Sequence, residues 1–322
     1  MPLTRESLPS ATCPYVRLDA EAGERLSSVS LERVRELYKQ HGALLLRGFV
    51  GGLDEFRQIA VELCPVAVQN DSRNRITLAP EQDVQSASLG TKAFPLHPEL
   101  SREPWKPDTA FFYCISPPVT GGLTTICDGV AIVRNLDPDL REKMINVRLK
   151  YIQAARPEEL QFWLGASDPD DAALADPPPQ CPYRFERIRG QVVRIFTRPF
   201  LHRPMFTDEL AFANFLLFSR FLRGRNFPLL DDRTPVPEEW LQTVKEVSDE
   251  LTVPIEWQRG DLVILDNSRF MHGRTAVTEG DGRLIATYFG YVDFALPDEE
   301  EPADAIWRRP GFRPPPIPSA RD

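Results

Sequence analysis

Four histidines occur in 322 residues, at positions 41, 97, 202 and 272. One has a carboxylate two residues away, in Ala93-Phe-Pro-Leu-His97-Pro-Glu99-Leu. Residues i and i+2 of an extended strand point to the same side, so His97 and Glu99 could chelate one metal ion. A third ligand must come from elsewhere. The segment Val263-Ile-Leu-Asp-Asn-Ser-Arg-Phe-Met-His272-Gly-Arg274 supplies one, shortly after the Asp266-Asn267 turn signal. Two imidazoles and a carboxylate on one face leave three octahedral positions open, which suits a non-haem Fe(II) that binds a cosubstrate and oxygen together. The same donor set also serves hydrolytic zinc. The helical His-Glu-x-x-His pattern is absent, and residue types alone leave both metals open.

The elements that must carry these groups read as short strands with helices grouped between them. Residues 30–40 have a helical pattern, with Ser30 as cap and Gly42 after the end. Residues 43–50 read as a buried strand and 54–64 as a second helix. Strands follow at 110–114, 123–127, 147–153 and 191–197, with a helix from 128 to 136. Residues 157–182 are acidic and proline-rich and read as a surface loop or lid rather than core. Residues 207–223 read as a strongly apolar helix and 237–251 as an amphipathic one. Three strands at 253–257, 261–265 and 284–292 precede a proline-rich tail from about 297, expected to pack poorly. Helices that do not alternate regularly with strands argue against βα units and for a jelly roll decorated with helices.

Composition narrows the function. The formal charge is −9, and no basic run offsets it, which disfavours nucleic acid as a partner. No apolar stretch approaches eighteen residues and no secretory leader is evident, so a cytoplasmic protein without a membrane span is expected. Five scattered cysteines without a Cys-x-x-Cys pair read as reduced thiols. Neither a Gly-x-Gly-x-x-Gly turn nor a phosphate loop occurs. The stripe Phe212, Phe215, Leu216, Phe218 and Phe221 reads as core or as a face for a second copy of the chain.

Four separated segments, Gln40-His-Gly-Ala-Leu-Leu-Leu-Arg-Gly-Phe49, His97-Pro-Glu99, Gly121-Gly-Leu-Thr-Thr125 and Trp257-Gln-Arg-Gly-Asp261 running on to Met271-His-Gly-Arg274, follow one another in a known order. Together they resemble the TauD/TfdA (clavaminate synthase-like) family of Fe(II)/2-oxoglutarate-dependent dioxygenases. The resemblance implies a double-stranded β-helix, a distorted jelly roll, with N-terminal helices. It covers a single domain with a core of about 30–292, a lid or helical insertion of about 155–250 and a tail of about 297–322. It implies Fe(II) held by His97, Glu99 and His272, with 2-oxoglutarate and O2 as cosubstrates. Arg283 and Thr124 fall where the family grips the distal carboxylate of 2-oxoglutarate, and a guanidinium fork suits that task. Thr125 replaces Thr124 if the strand register differs by one.

The activity implied is oxidation of an unactivated C–H bond, by hydroxylation, desaturation or ring closure, with release of succinate and CO2. Retention of Glu99 favours these outcomes over halogenation. The implied substrate is a small molecule, amino-acid-like or tethered to a carrier protein. Many relatives carry a second arginine four residues after the first, where this chain has Thr287. An anionic substrate would then need another cation, and Arg198 and His202 are the candidates, with Arg203 beside them. A jelly roll that binds 2-oxoglutarate without turnover, or a zinc-dependent hydrolase, are the competing readings.

Overall fold

The computed structural model describes residues 4–10, 12–70, 72, 74–79, 83–278, 282–296, 298 and 300–315. Its largest sheet has nine strands. The central ones are Ala43–Arg47, Leu262–Asp266, Thr109–Ser116 and Leu284–Tyr291, in that order across the sheet. All three pairings between them are antiparallel. A four-stranded sheet, in the order Val253–Ile255, Thr124–Asp128, Phe270–Arg274 and Phe94–His97, carries His97, Thr124 and His272. A third sheet pairs Arg184–Ile188, Gln191–Pro199, Arg148–Ala154 and Leu229–Leu230. The fold is thus mainly β with helices, as expected.

Strict alternation explains why the central strands read as unbroken apolar runs. Leu44, Leu46, Phe111, Tyr113, Leu262 and Ile264 point to one side, into a core shared with Val34 and Leu37 of the helix Leu31–His41 and Phe56 and Ile59 of the helix Leu53–Leu63. Their neighbours Leu45, Phe112, Val263 and Leu265 point to the other side, where they join Ile126 and Met271 of the small sheet. A sheet covered on both faces needs apolar residues at every position. The first helix starts and stops as its sequence predicts: the Ser30 hydroxyl accepts from Arg33 N, and Gly42 takes φ 74° at its end.

Three expectations need correction. The helix read over 207–223 is confined to Leu216–Arg223. The preceding backbone is already engaged: Ala211 exchanges hydrogen bonds with His202, Phe212 N donates to Gly129 O, and the Asn214 side chain accepts from Leu216 N. The segment 157–182 is not merely surface loop. It forms the helices Pro157–Leu164 and Asp171–Ala175, which bury Leu160, Trp163 and Leu174 in the main core. A few large apolar side chains outweigh the acidic background there. The tail also packs, because Ala305 and Trp307 are buried and Arg308 forms a fork with Asp108 at 2.8 Å. The five cysteines are free, and among the described residues no helix is long and apolar enough to cross a membrane.

Candidate active site

His97 and His272 are direct cross-strand partners in the antiparallel pair Phe94–His97 and Phe270–Arg274. Their ring centroids lie 4.6 Å apart. The strand ends at His97, so Glu99 sits in the following turn and not on the strand itself. That turn is fixed from a distance of 168 residues: Glu99 N donates to Asn267 Oδ1 at 2.7 Å, and Asn267 Nδ2 donates to Glu99 O at 3.0 Å and Pro107 O at 2.8 Å. The Asp266-Asn267 signal is therefore a buried clamp on the carboxylate-bearing turn. The result is a gap of 3.7 Å between His272 Nε2 and Glu99 Oε2, both side chains being buried. Asn267→Ala strands a buried N–H and two carbonyls, and a loss of about 2–4 kcal/mol is expected in denaturant unfolding. An unchanged unfolding midpoint would mean that the clamp is dispensable.

The electrostatics prepare these groups to act as ligands. His97 Nδ1 lies 2.8 Å from Pro95 O. A carbonyl can only accept, so Nδ1 carries the proton and Nε2 keeps its lone pair. Burial, then the neighbouring His272, push the His97 pKa down to about 3, which keeps the ring neutral at pH 7. His272 Nδ1 is buried without a hydrogen-bond partner among the described residues. For Glu99, burial pushes the pKa up, but the Arg75 guanidinium and the two imidazoles outweigh it and hold the carboxyl below its usual range. Arg75 Nη2 donates to Glu99 Oε2 at 3.0 Å, and Asn70 Nδ2 donates to Oε1. Among the described residues no three His, Cys, Asp or Glu side chains are closed around a ready-made metal cage. The donor set nevertheless fits a divalent metal: two imidazoles and a carboxylate border one cavity.

Arg75 also donates to the Thr287 hydroxyl at 3.1 Å and lies over the Phe289 ring. A guanidinium thus reaches the place beside Thr287 from a distant part of the chain. Arg75→Met removes the largest influence that opposes the burial of Glu99, so the carboxyl's pKa rises. As the pH is lowered from 7 toward 4, Mn(II) affinity should then begin to fall at a higher pH than in the unmodified protein. Equal pH dependence in the two proteins would show that Arg75 does not govern the carboxylate.

Arg283 and Thr124 border the same cavity, of about 260 Å³. Arg283 Nε donates to Gly122 O at 2.6 Å, and Arg283 Nη2 lies 3.5 Å from Thr124 Oγ1. Trp257 Nε1 donates to the same hydroxyl at 3.1 Å. A Cβ on Gly122, whose φ is 62°, would come within 2.8 Å of Arg283 Cδ, so the Gly121-Gly122 turn makes room for the guanidinium. Thr125 faces the other way, toward Gly273, where a Cβ would meet its Oγ1 at 2.7 Å. In this register it is Thr124, not Thr125, whose hydroxyl meets Arg283.

The structure does not bring Arg198 and His202 to this cavity, which corrects their assignment as substrate cations. Arg198 pairs with Asp298 at 3.1 Å, and His202 Nε2 meets Ser268 O at 2.7 Å. Both, with Arg203, border a separate cavity of about 1140 Å³. Burial and the charge of Lys106 push His202 down to about 3. Their chain position in the insertion gave no measure of which way the backbone turns.

Several residues at the cavity had no sequence signal of their own. Asn70 and Arg75 fall between the short strands Val66–Ala67 and Thr77–Ala79. Phe215 and Phe218, read above as core or a face for a second copy, form an aromatic wall; the Phe218 ring lies 4.5 Å from that of His97. Arg274 donates to the carbonyls of Ser88, Gly90 and Lys92 and so ties down the adjoining loop.

The fold and site define an oxygenase-type jelly roll in which two histidines and a glutamate face one cavity. The model of the family described as "Taurine catabolism dioxygenase TauD, TfdA family" matches residues 5–288, and the chain belongs to that family. It is therefore an oxidoreductase of the Fe(II)/2-oxoglutarate-dependent dioxygenase class, with Fe(II), 2-oxoglutarate and O2 as expected cofactor and cosubstrates. A clavaminate synthase-like protein of Arabidopsis thaliana is 21% identical over 293 residues, covering 83% of this chain and 88% of the relative. The solved structure of a taurine dioxygenase from Burkholderia xenovorans has a TM-score of 0.60 at 14% identity and covers 91% of this chain and 92% of its own. PvcB, an Fe, alpha-ketoglutarate dependent oxygenase from an isonitrile synthetic pathway, has a TM-score of 0.57 at 16% identity and covers 92% of each chain.

Proposed function

We propose that the protein oxidises an unactivated C–H bond of a small molecule, hydroxylation being the leading outcome and desaturation or ring closure the others. The substrate class proposed is amino-acid-like, free or tethered to a carrier. The observation that carries the reading is the pairing of His97 with His272 beside the Glu99 carboxylate, in a cavity that Arg283 and Thr124 also border. In this reading Nε2 of each imidazole and one Glu99 oxygen hold the metal. Arg283 and Thr124 hold the distal carboxylate of 2-oxoglutarate by charge-assisted hydrogen bonds. Bound iron, with its cosubstrates, supplies the oxidising power for C–H cleavage. Phe112, Phe215 and Phe218 exclude water, and Arg75 keeps Glu99 ionised.

Anaerobic reconstitution with Fe(II), followed by 2-oxoglutarate and O2, tests the proposal. Succinate should form in an Fe(II)-dependent way, N-oxalylglycine should suppress it, and a true substrate should accelerate it. Retention of zinc as the working metal, with no binding of 2-oxoglutarate, would refute the oxygenase reading.

A further inference from the structure

The cavity beside His97 is far more cationic than the protein that encloses it. Its described lining includes Arg75, Arg102, Arg223, Arg274 and Arg283 against a single carboxylate, Glu99, whereas the whole chain carries a formal charge of −9. Ferrous iron and the 2-oxoglutarate dianion cancel one another, so loading the site leaves that excess in place. Three of the arginines have work already described: Arg75 on Glu99, Arg274 on loop carbonyls, and Arg283 on the Gly122–Thr124 turn.

Arg102 and Arg223 remain. Among the described residues no carboxylate forms an ion pair with Arg223. Arg102 has, among those residues, only Glu103 at 3.5 Å, and that buried carboxylate is gripped by Arg194 at 2.8 Å. Each of the two guanidiniums is instead seated on the aromatic wall. Arg102 lies 5.3 Å from the Phe215 centroid and Arg223 5.6 Å from that of Phe218. The two rings are 4.8 Å apart, and Phe218 stands directly against His97. Burial and repulsion from Arg102 and Arg225 both disfavour the charge on Arg223. Like charges held together on an apolar wall, with no acid between them, are the arrangement an anion relieves.

We infer that Arg102 and Arg223 form a substrate subsite for an acid, a carboxylate, sulfonate or phosphate joined to an apolar body that lies on Phe215 and Phe218. This rests on the oxygenase reading of the same cavity and adds the substrate class and the residues that select it. The selecting cations come from the turn after Glu99 and from the helix Leu216–Arg223, not from the strand that holds Thr287.

The test uses the full chain loaded with Mn(II) and 2-oxoglutarate, which bind without turnover, and two probes of one shape: phenylacetate and its neutral counterpart phenylacetamide. Calorimetric titration should show the acid binding at least about tenfold tighter than the amide, with a preference that shrinks as salt rises. Arg102→Gln and Arg223→Gln should each reduce that preference at least about fivefold, Arg223→Lys should keep part of it, and Arg141→Gln, on the exposed face of the helix Pro138–Ile145, should leave it unchanged. Equal affinity for acid and amide, no binding of the acid, or a preference that survives both glutamine variants overturns the inference. Loading is measured first. If Mn(II) and 2-oxoglutarate fail to bind, the oxygenase reading fails, and the same probe comparison on the metal-free variants still decides the arginine subsite.

Discussion

His272→Ala is expected to lower 2-oxoglutarate turnover by at least about a thousandfold, with metal affinity falling alongside it. His272 contributes one of the two imidazoles in the described lining of the cavity, and its Nε2 lies 3.7 Å from Glu99 Oε2. Water cannot replace it without giving up the geometry that the paired strands impose. The ring is buried, but its packing is shared with Phe112 and His97, so alanine leaves a cavity without severing the sheet. Circular dichroism and thermal unfolding separate a folded, metal-poor variant from a collapsed one. A folded His272→Ala protein that still releases succinate at the original rate would remove this histidine from the ligand set.

Arg283→Gln should raise the 2-oxoglutarate concentration for half-saturation about 30- to 100-fold while leaving Mn(II) affinity within about twofold. The magnitude follows from losing two charge-assisted hydrogen bonds, at roughly 1–1.5 kcal/mol each after the glutamine recovers part of the contact. The split between cosubstrate and metal is the informative feature. Arg283 is anchored to Gly122 O and the Thr124 hydroxyl, away from the carboxylate that faces His272. A parallel loss of both affinities would mean that the substitution disturbs the sheet rather than the cosubstrate.

Much of this arrangement was legible because it is written locally. The unbroken apolar runs in Ala43–Arg47 and Leu262–Asp266 announce strands buried on both faces, and Ser30 and Gly42 mark a helix by their own chemistry. His97, Glu99 and His272 stand out because ligand-type residues are scarce and closely spaced. The partners that support them are not local. Asn267 clamps Glu99 across 168 positions and Arg75 reaches Thr287 across 212, and such contacts are set only when the sheets close. The misreading of Arg198 and His202 has the same origin, since nearness to the insertion in sequence says nothing about which cavity a side chain enters. Residues 157–182 misled because charge and proline dominate their composition, while three apolar side chains decide their packing.

A crystal structure of the full chain grown without oxygen in Mn(II) and 2-oxoglutarate bears most directly on the central claim, through the anomalous signal of the metal. One strong peak is predicted, coordinated by Nε2 of His97, Nε2 of His272 and an oxygen of Glu99, with the cosubstrate's far carboxylate against Arg283. A metal bound elsewhere, or held at this place without those three side chains, would contradict it.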